Sequence, residues 1–214
     1  LPAFIARPYI EIMESLALNS IYALPSVYAN AYLVNSVVSK DSLGLVLDIG
    51  GLHTVICKTL NGFPLDTLYF RNGGVDFTNA IVNDFSLSFE EAEKLKKEYG
   101  NLNIQVAENI EIYESSRTRA VISERKLSES LKKKFEEWNS IFNRTCKDSS
   151  LELANHLIVV IGGNSELSGF AVALGSNSIN KTVKYQIPYF GLRDNSYCTC
   201  LGILKYYFEK GGEL

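Results

Sequence analysis

Residues Leu43 to Gly51, LGLVLDIGG, decide how this chain is read. Apolar residues run into a single charge, Asp48, and then into Gly50 and Gly51, the pattern of a buried strand ending in a tight turn. Such a turn brings main-chain N–H groups within reach of phosphate oxygens. A second strand, HTVICKTL from His53 to Leu60, follows at once, then Asn61-Gly62 as a hairpin turn and FPLDTLYFR as a third strand. A dinucleotide-binding βαβ unit needs a helix after the glycine turn, and the β-branched residues Thr54, Val55 and Ile56 oppose one.

Upstream, PYIEIMESLAL predicts a surface helix from Pro8 to Leu18, with the proline near its start. A short strand is expected from Ser20 to Leu24, and Ser26 is placed to cap a helix over VYANAYLVNSVV. Downstream, Arg71-Asn72-Gly73-Gly74 forms a second glycine turn before the helix DFTNAIVNDF, where Phe77, Ile81, Val82 and Phe85 fall at helical spacing. Ser88 and Glu91 then make a capping-box start for SFEEAEKLKKEYG, which Gly100 closes. Lys94, Lys96, Lys97 and Glu98 read as its solvated, ion-paired face.

Two strand-like stretches, IQVAENIEIYE and TRAVISERK, precede a long amphipathic helix from Leu127 to about Asn143. Leu131, Phe135, Trp138 and Phe142 form its core stripe and Lys132 to Lys134 its wet side. The strand HLIVVIGGN then ends in a third glycine turn at Gly162-Gly163, followed by the helix ELSGFAVALGS, the strand VKYQIP and the helix TCLGILKYYFEK. The order implies one α/β domain, residues 1–86 and 151–214, interrupted by an inserted small α+β subdomain at residues 87–150.

Composition narrows the function. With 214 residues, 46% of them hydrophobic, the chain can bury a sizeable core, which excludes a disordered segment. A net charge of −3 with mixed signs gives no field to attract nucleic acid or anionic lipid. Cys57, Cys146, Cys198 and Cys200 are irregularly spaced, and Cys198-Thr199-Cys200 lacks the second close pair of a zinc site, so a reduced, cytoplasmic protein is expected. No apolar run reaches the roughly 18 residues of a membrane span, and Leu1 to Ile10 shows no signal-peptide pattern. The chain begins without methionine, so a fragment of a longer protein is expected.

Four pieces in a fixed order carry a family resemblance: LDIGG at Leu47 to Gly51, FRNGGVDFTNAI at Phe70 to Ile81, EEAEKLKKEYG at Glu90 to Gly100, and VVIGGNSELSG at Val159 to Gly169. Together they resemble the second half of the actin-like ATPase superfamily, whose sheet is the mixed, ribonuclease H-like kind with flanking helices. The nearest branch is FtsA, the bacterial division protein, with the pilus-assembly protein PilM close behind. The resemblance spans most of the chain and includes SYCTCLGILKYY as the family's terminal helix.

The resemblance implies an ATP site. Gly50 and Gly51, with His53 and Thr54 beyond them, would belong to its second phosphate loop, and Gly73 and Gly74 to the neighbouring turn. Asp48 would act on Mg2+ through water. Glu93 and Lys96, three apart on one helical face, would meet the ribose and adenine, and Gly162, Gly163 and Asn164 would pack against them. The alternatives are a surface role for His53 and a plain strand-to-helix turn at Gly162-Gly163. The chain departs from the pattern at Leu52 to Val55, where FtsA-like members have a third glycine and Thr-Thr-Asp, and at Ala80, where FtsA tends to have aspartate. PilM has a similarly relaxed loop. Slow or absent hydrolysis is therefore expected, and the superfamily's first phosphate-loop domain is not in this sequence.

In FtsA the small subdomain receives the C-terminal tail of the tubulin-like protein FtsZ and ties the division ring to the membrane. Arg125, with Arg117 and Arg119 upstream, would pair with tail carboxylates, the alternative being an exposed basic turn. The resemblance implies a cytoplasmic protein at the inner face of the membrane, attached through a segment absent here. Actin-like filaments would form only in the full-length protein. A PilM-like scaffold of pilus or secretion assembly and an active chaperone-like or MreB-like ATPase are the rival readings.

Overall fold

The structure is a computed structural model that describes residues 3–17, 23–105, 108, 110–114, 121–151, 156–176, 180–188, 191–192 and 194–210. Three strands, β1 (Leu43–Ile49), β2 (Thr54–Leu60) and β3 (Phe63–Phe70), form an antiparallel meander. Asn61 and Gly62 both take positive φ at the β2–β3 turn, which matches the right-handed twist of a tight hairpin. β6 (Leu157–Ile161) returns parallel to β1, and β7 (Thr182–Lys184) adds on outside it, giving the order β3-β2-β1-β6-β7. A separate two-stranded ribbon pairs β4 (Glu111–Glu114) with β5 (Val121–Ser123).

Alternation along the central strands sorts the apolar residues onto two faces. Leu45, Leu47 and Ile49 of β1 join Ile158 and Val160 of β6 in one cluster. It is covered by α3 (Gly74–Phe85), α5 (Glu124–Asp148) and α6 (Phe170–Ser176). α4 (Phe89–Tyr99) adds Ala92 and Leu95 to the same cluster. Leu131, Phe135, Trp138 and Phe142 of α5 are buried here, as their spacing requires, and the indole of Trp138 stacks on Phe142 at 5.6 Å and 3°. Val46, Cys57, Val159 and Ile161 point the other way, toward α2 (Ser26–Val34) and α7 (Cys198–Lys210). These two helices cross so closely that a Cβ at Gly202 would come within 2.2 Å of the Ala29 carbonyl oxygen.

Several boundaries differ from expectation. α1 (Ala3–Ser15) begins ahead of Pro8, which lies inside the helix with one backbone bond missing. Ser26 is the first residue of α2 rather than its cap, because Pro25 holds the cap position. Most of the strand expected over Ser20 to Leu24 lies outside the described residues. α5 starts at Glu124, with Ser123 as its cap, and runs on to Asp148. The capping box of Ser88 and Glu91 on α4 is present as read, with Gly100 at the C-cap.

Candidate functional site

Parallel pairing of β1 and β6 sets Asp48 opposite Ile161, so the two glycine turns that follow lie side by side. Gly162 takes φ +87°, and a Cβ there would meet the Asp48 Oδ1 at 2.5 Å and the Ile49 carbonyl oxygen at 2.6 Å. Only glycine fits that position. The start of α3 closes over the first turn: Gly74 N–H donates to the Gly50 carbonyl and Val75 N–H to the Gly51 carbonyl, both at 2.8 Å.

These turns open into a cleft of about 880 Å3. Gly50, Gly51, Gly74, Glu93, Lys96, Gly163 and Asn164, all named from the sequence, line it together. A Cβ at Gly51 would meet nothing nearer than Val75 Cγ2 at 3.9 Å, and one at Gly163 nothing nearer than Ser196 Cβ at 3.7 Å. Neither glycine is required by packing, so each leaves main chain bare to the cleft. Asn164 is 6% exposed, and neither polar atom of its amide has a hydrogen-bond partner. A buried amide left so costs about 1–3 kcal/mol per orphaned group, a cost that a ligand in the cleft removes.

Lys96 does not lie on a solvated face. It is 9% exposed, and its ammonium donates to the Gly74 carbonyl at 3.0 Å, to Thr78 Oγ1 at 2.8 Å and pairs with Glu93 at 2.7 Å. Thr78 Oγ1 in turn donates to Glu93, and Lys97 reaches the other carboxylate oxygen at 3.3 Å. Burial pushes the Glu93 carboxyl up, but these partners outweigh it and hold the group below its usual value. Burial lowers Lys96, against the pull of Glu93. Lys94 and Lys97 are exposed, as a solvated face predicts.

The other sequence-named residues stand apart from the cleft wall. Asp48 is half-buried, with Oδ2 accepting from the Asn30 amide at 2.9 Å; burial raises its carboxyl, while Asn30 and His53 pull it down. Gly73 donates its N–H to Asp76 Oδ2, and a Cβ there would collide with the Gly50 and Gly51 carbonyls, so its role is packing. His53 is exposed at the edge of β2. Thr54 is fully buried; its hydroxyl donates to the Asn72 carbonyl and accepts from Trp138 Nε1, which corrects its expected place at a phosphate. Arg125 is exposed on the first turn of α5 and pairs with Glu129 at 3.5 Å. Arg117 and Arg119 lie outside the described residues. Thr78 and Asn30 escaped the sequence reading. Thr78 is four residues beyond Gly74 on one helical face, a usable signal, whereas nothing near Asn30 announces its partner 18 residues on.

The family model described as cell division protein FtsA matches residues 45–202. The chain belongs to the FtsA family. FtsA of Bacillus subtilis is 27% identical over 180 residues, covering 80% of this chain and 41% of the relative. FtsA of Staphylococcus epidermidis is 22% identical over 211 residues, covering 91% and 45%. The chain thus spans less than half the length of these FtsA relatives. Among solved structures, MreB5 of Spiroplasma citri bound to ADP aligns with a TM-score of 0.77 at 15% identity, covering 100% of this chain and 68% of that one. A PilM-PilN type IV pilus biogenesis complex aligns at 0.70 and 19% identity, covering 92% and 56%. These likenesses establish the actin-like ATPase fold for this FtsA-family chain, a mixed sheet with flanking helices.

Proposed function

We propose that this chain is the nucleotide-facing half of an ATP-binding adaptor of bacterial cell division. The observation that carries the reading is the joint one: an FtsA family match over residues 45–202, on a fold whose cleft holds bare glycine main chain and the unpartnered Asn164 amide. ATP would lie with its phosphates toward Gly50 and Gly51 and its nucleoside toward Lys96, Gly163 and Asn164. Phe89 and Leu167 on the same wall supply apolar surface. Asp48 Oδ1 accepts no hydrogen bond among the described residues, and a bare carboxylate oxygen suits a hard cation's water shell, so Asp48 would face Mg2+ through water. When bound, that ion would neutralise phosphate charge.

Hydrolysis is slow or absent in this reading. Leu52, 71% exposed beside the phosphate turn, and Val55 offer no polar group to a reacting phosphate, and Thr54 is occupied by Trp138. Steady-state turnover at about 1 per second or faster contradicts it.

The stretch 87–150 would act as the inserted small subdomain that receives the FtsZ tail, with Arg125 at the start of α5 as an anchor for its carboxylates. Self-association into filaments and attachment to the inner face of the membrane would belong to the full-length protein. Fluorescence anisotropy with a labelled FtsZ C-terminal tail peptide tests the partner. Micromolar binding that weakens with Arg125→Glu and with added salt supports the division adaptor. No binding to the folded chain at several hundred micromolar moves the assignment to a PilM-like cytoplasmic scaffold. The structural likeness to the PilM-PilN complex favours that second reading.

A further inference from the structure

Asp48 is held by a residue that no motif of the chain points to. Asn30, 3% exposed on α2, donates from Nδ2 to Asp48 Oδ2 at 2.9 Å. Its Oδ1 accepts from Thr199 Oγ1, at the start of α7, at 3.0 Å. The two bonds fix each other. An ionised carboxylate only accepts, so the amide must turn its nitrogen toward Asp48, and the threonine hydroxyl then meets the oxygen. On the opposite side, the backbone of Gly162 presses on Asp48 Oδ1 so closely that no side chain fits between them. The carboxylate is therefore gripped on one oxygen by Asn30 and bounded at the other by the second glycine turn.

We infer that Asn30 is a positioning residue for Asp48, with Thr199 setting the orientation of its amide, so that Asp48 Oδ1 is aimed at the hydrated cation of a bound nucleoside triphosphate. The inference rests on the nucleotide reading above. It adds that the cation response of the cleft depends on two residues outside it. α2 and α7 are locked together by the Gly202–Ala29 approach and by the Tyr32 hydroxyl donating to Glu209 at 2.7 Å, so the amide is carried on a rigid pair. A hydrogen bond to a charged group contributes enough to change a binding constant by about tenfold.

The test is the affinity of this chain for ATP, measured by calorimetry with excess Mg2+ and with EDTA, in wild type, Asn30→Ala, Thr199→Val and Thr199→Ser. The ratio of the two affinities should fall about tenfold in Asn30→Ala, fall less in Thr199→Val and be restored in Thr199→Ser, with EDTA affinities unchanged. Parallel losses with and without Mg2+ would mean a structural tie only and overturn the inference, as would an unchanged ratio in Asn30→Ala and Thr199→Val. Wild type that binds ATP equally well in EDTA overturns it too, while leaving the nucleotide reading intact. No ATP binding under either condition overturns both.

Discussion

Trp138 Nε1 donates to Thr54 Oγ1 at 3.1 Å across 84 residues of sequence, joining the middle of α5 to the first residue of β2. The bond places a residue of the phosphate-loop motif inside the core. Thr54 also donates to the Asn72 carbonyl, so the one hydroxyl ties the strand, the second glycine turn and the long helix together. Thr54→Val keeps the shape and strands the indole N–H. The expected result is a loss of about 1–3 kcal/mol in urea unfolding with nucleotide affinity unaltered. A large fall in affinity with normal stability would place Thr54 in the cleft after all.

Lys96 and Glu93 form a buried ion pair that also anchors the Gly74 carbonyl. Breaking it from one side leaves a half-buried charge without its main partner. Lys96→Met is expected to cost about 3 kcal/mol in chemical denaturation, and adding Glu93→Gln should recover a large part of that. Additive losses in the double variant would contradict the coupling.

The same pair sets an acid response. Glu93 titrates below the usual carboxylate value because Lys96, Thr78 and Lys97 favour its charged form over the opposing push of burial. A depressed folded value means the unfolded chain binds the proton first as pH falls. The stabilisation is complete above the unfolded value of about 4.3 and fades as pH drops through the folded one. Urea midpoints between pH 3 and pH 6 should fall less steeply for Glu93→Gln than for wild type; parallel curves would contradict the assignment.

Asn164 carries a signature opposite to that of a core residue. Removing its orphaned amide should leave the free chain as stable as before, or more stable by about 1 kcal/mol, and should weaken ATP binding. A clear drop in the melting temperature of Asn164→Ala would mean that the amide has a structural partner.

The strands and glycine turns were legible because their signals are local. LGLVLDIGG, Asn61-Gly62 and the Ser88–Glu91 box each need only their own neighbours, and each formed where expected. The cleft was legible at Gly50, Gly74, Lys96 and Gly163 through the order of the motifs. What failed was long-range. Thr54 and its contact with Trp138, the burial of Lys96 by Thr78 and Gly74, and the grip of Asn30 on Asp48 depend on elements brought together by the sheet order. Spacing along the chain carries no trace of such pairs. Pro8 inside α1 is a different case, since the helix forms with one missing bond where the local rule places a start.

The most direct test of the nucleotide cleft is calorimetric titration of this chain with Mg2+-ATP, beside Gly163→Leu. A side chain at residue 163 meets nothing in the protein closer than 3.7 Å and would enter the space assigned to the nucleoside. Saturable binding in wild type that disappears in Gly163→Leu at an unchanged melting temperature is the predicted result. Equal binding by both proteins, or no binding by wild type at millimolar ATP, would contradict the account.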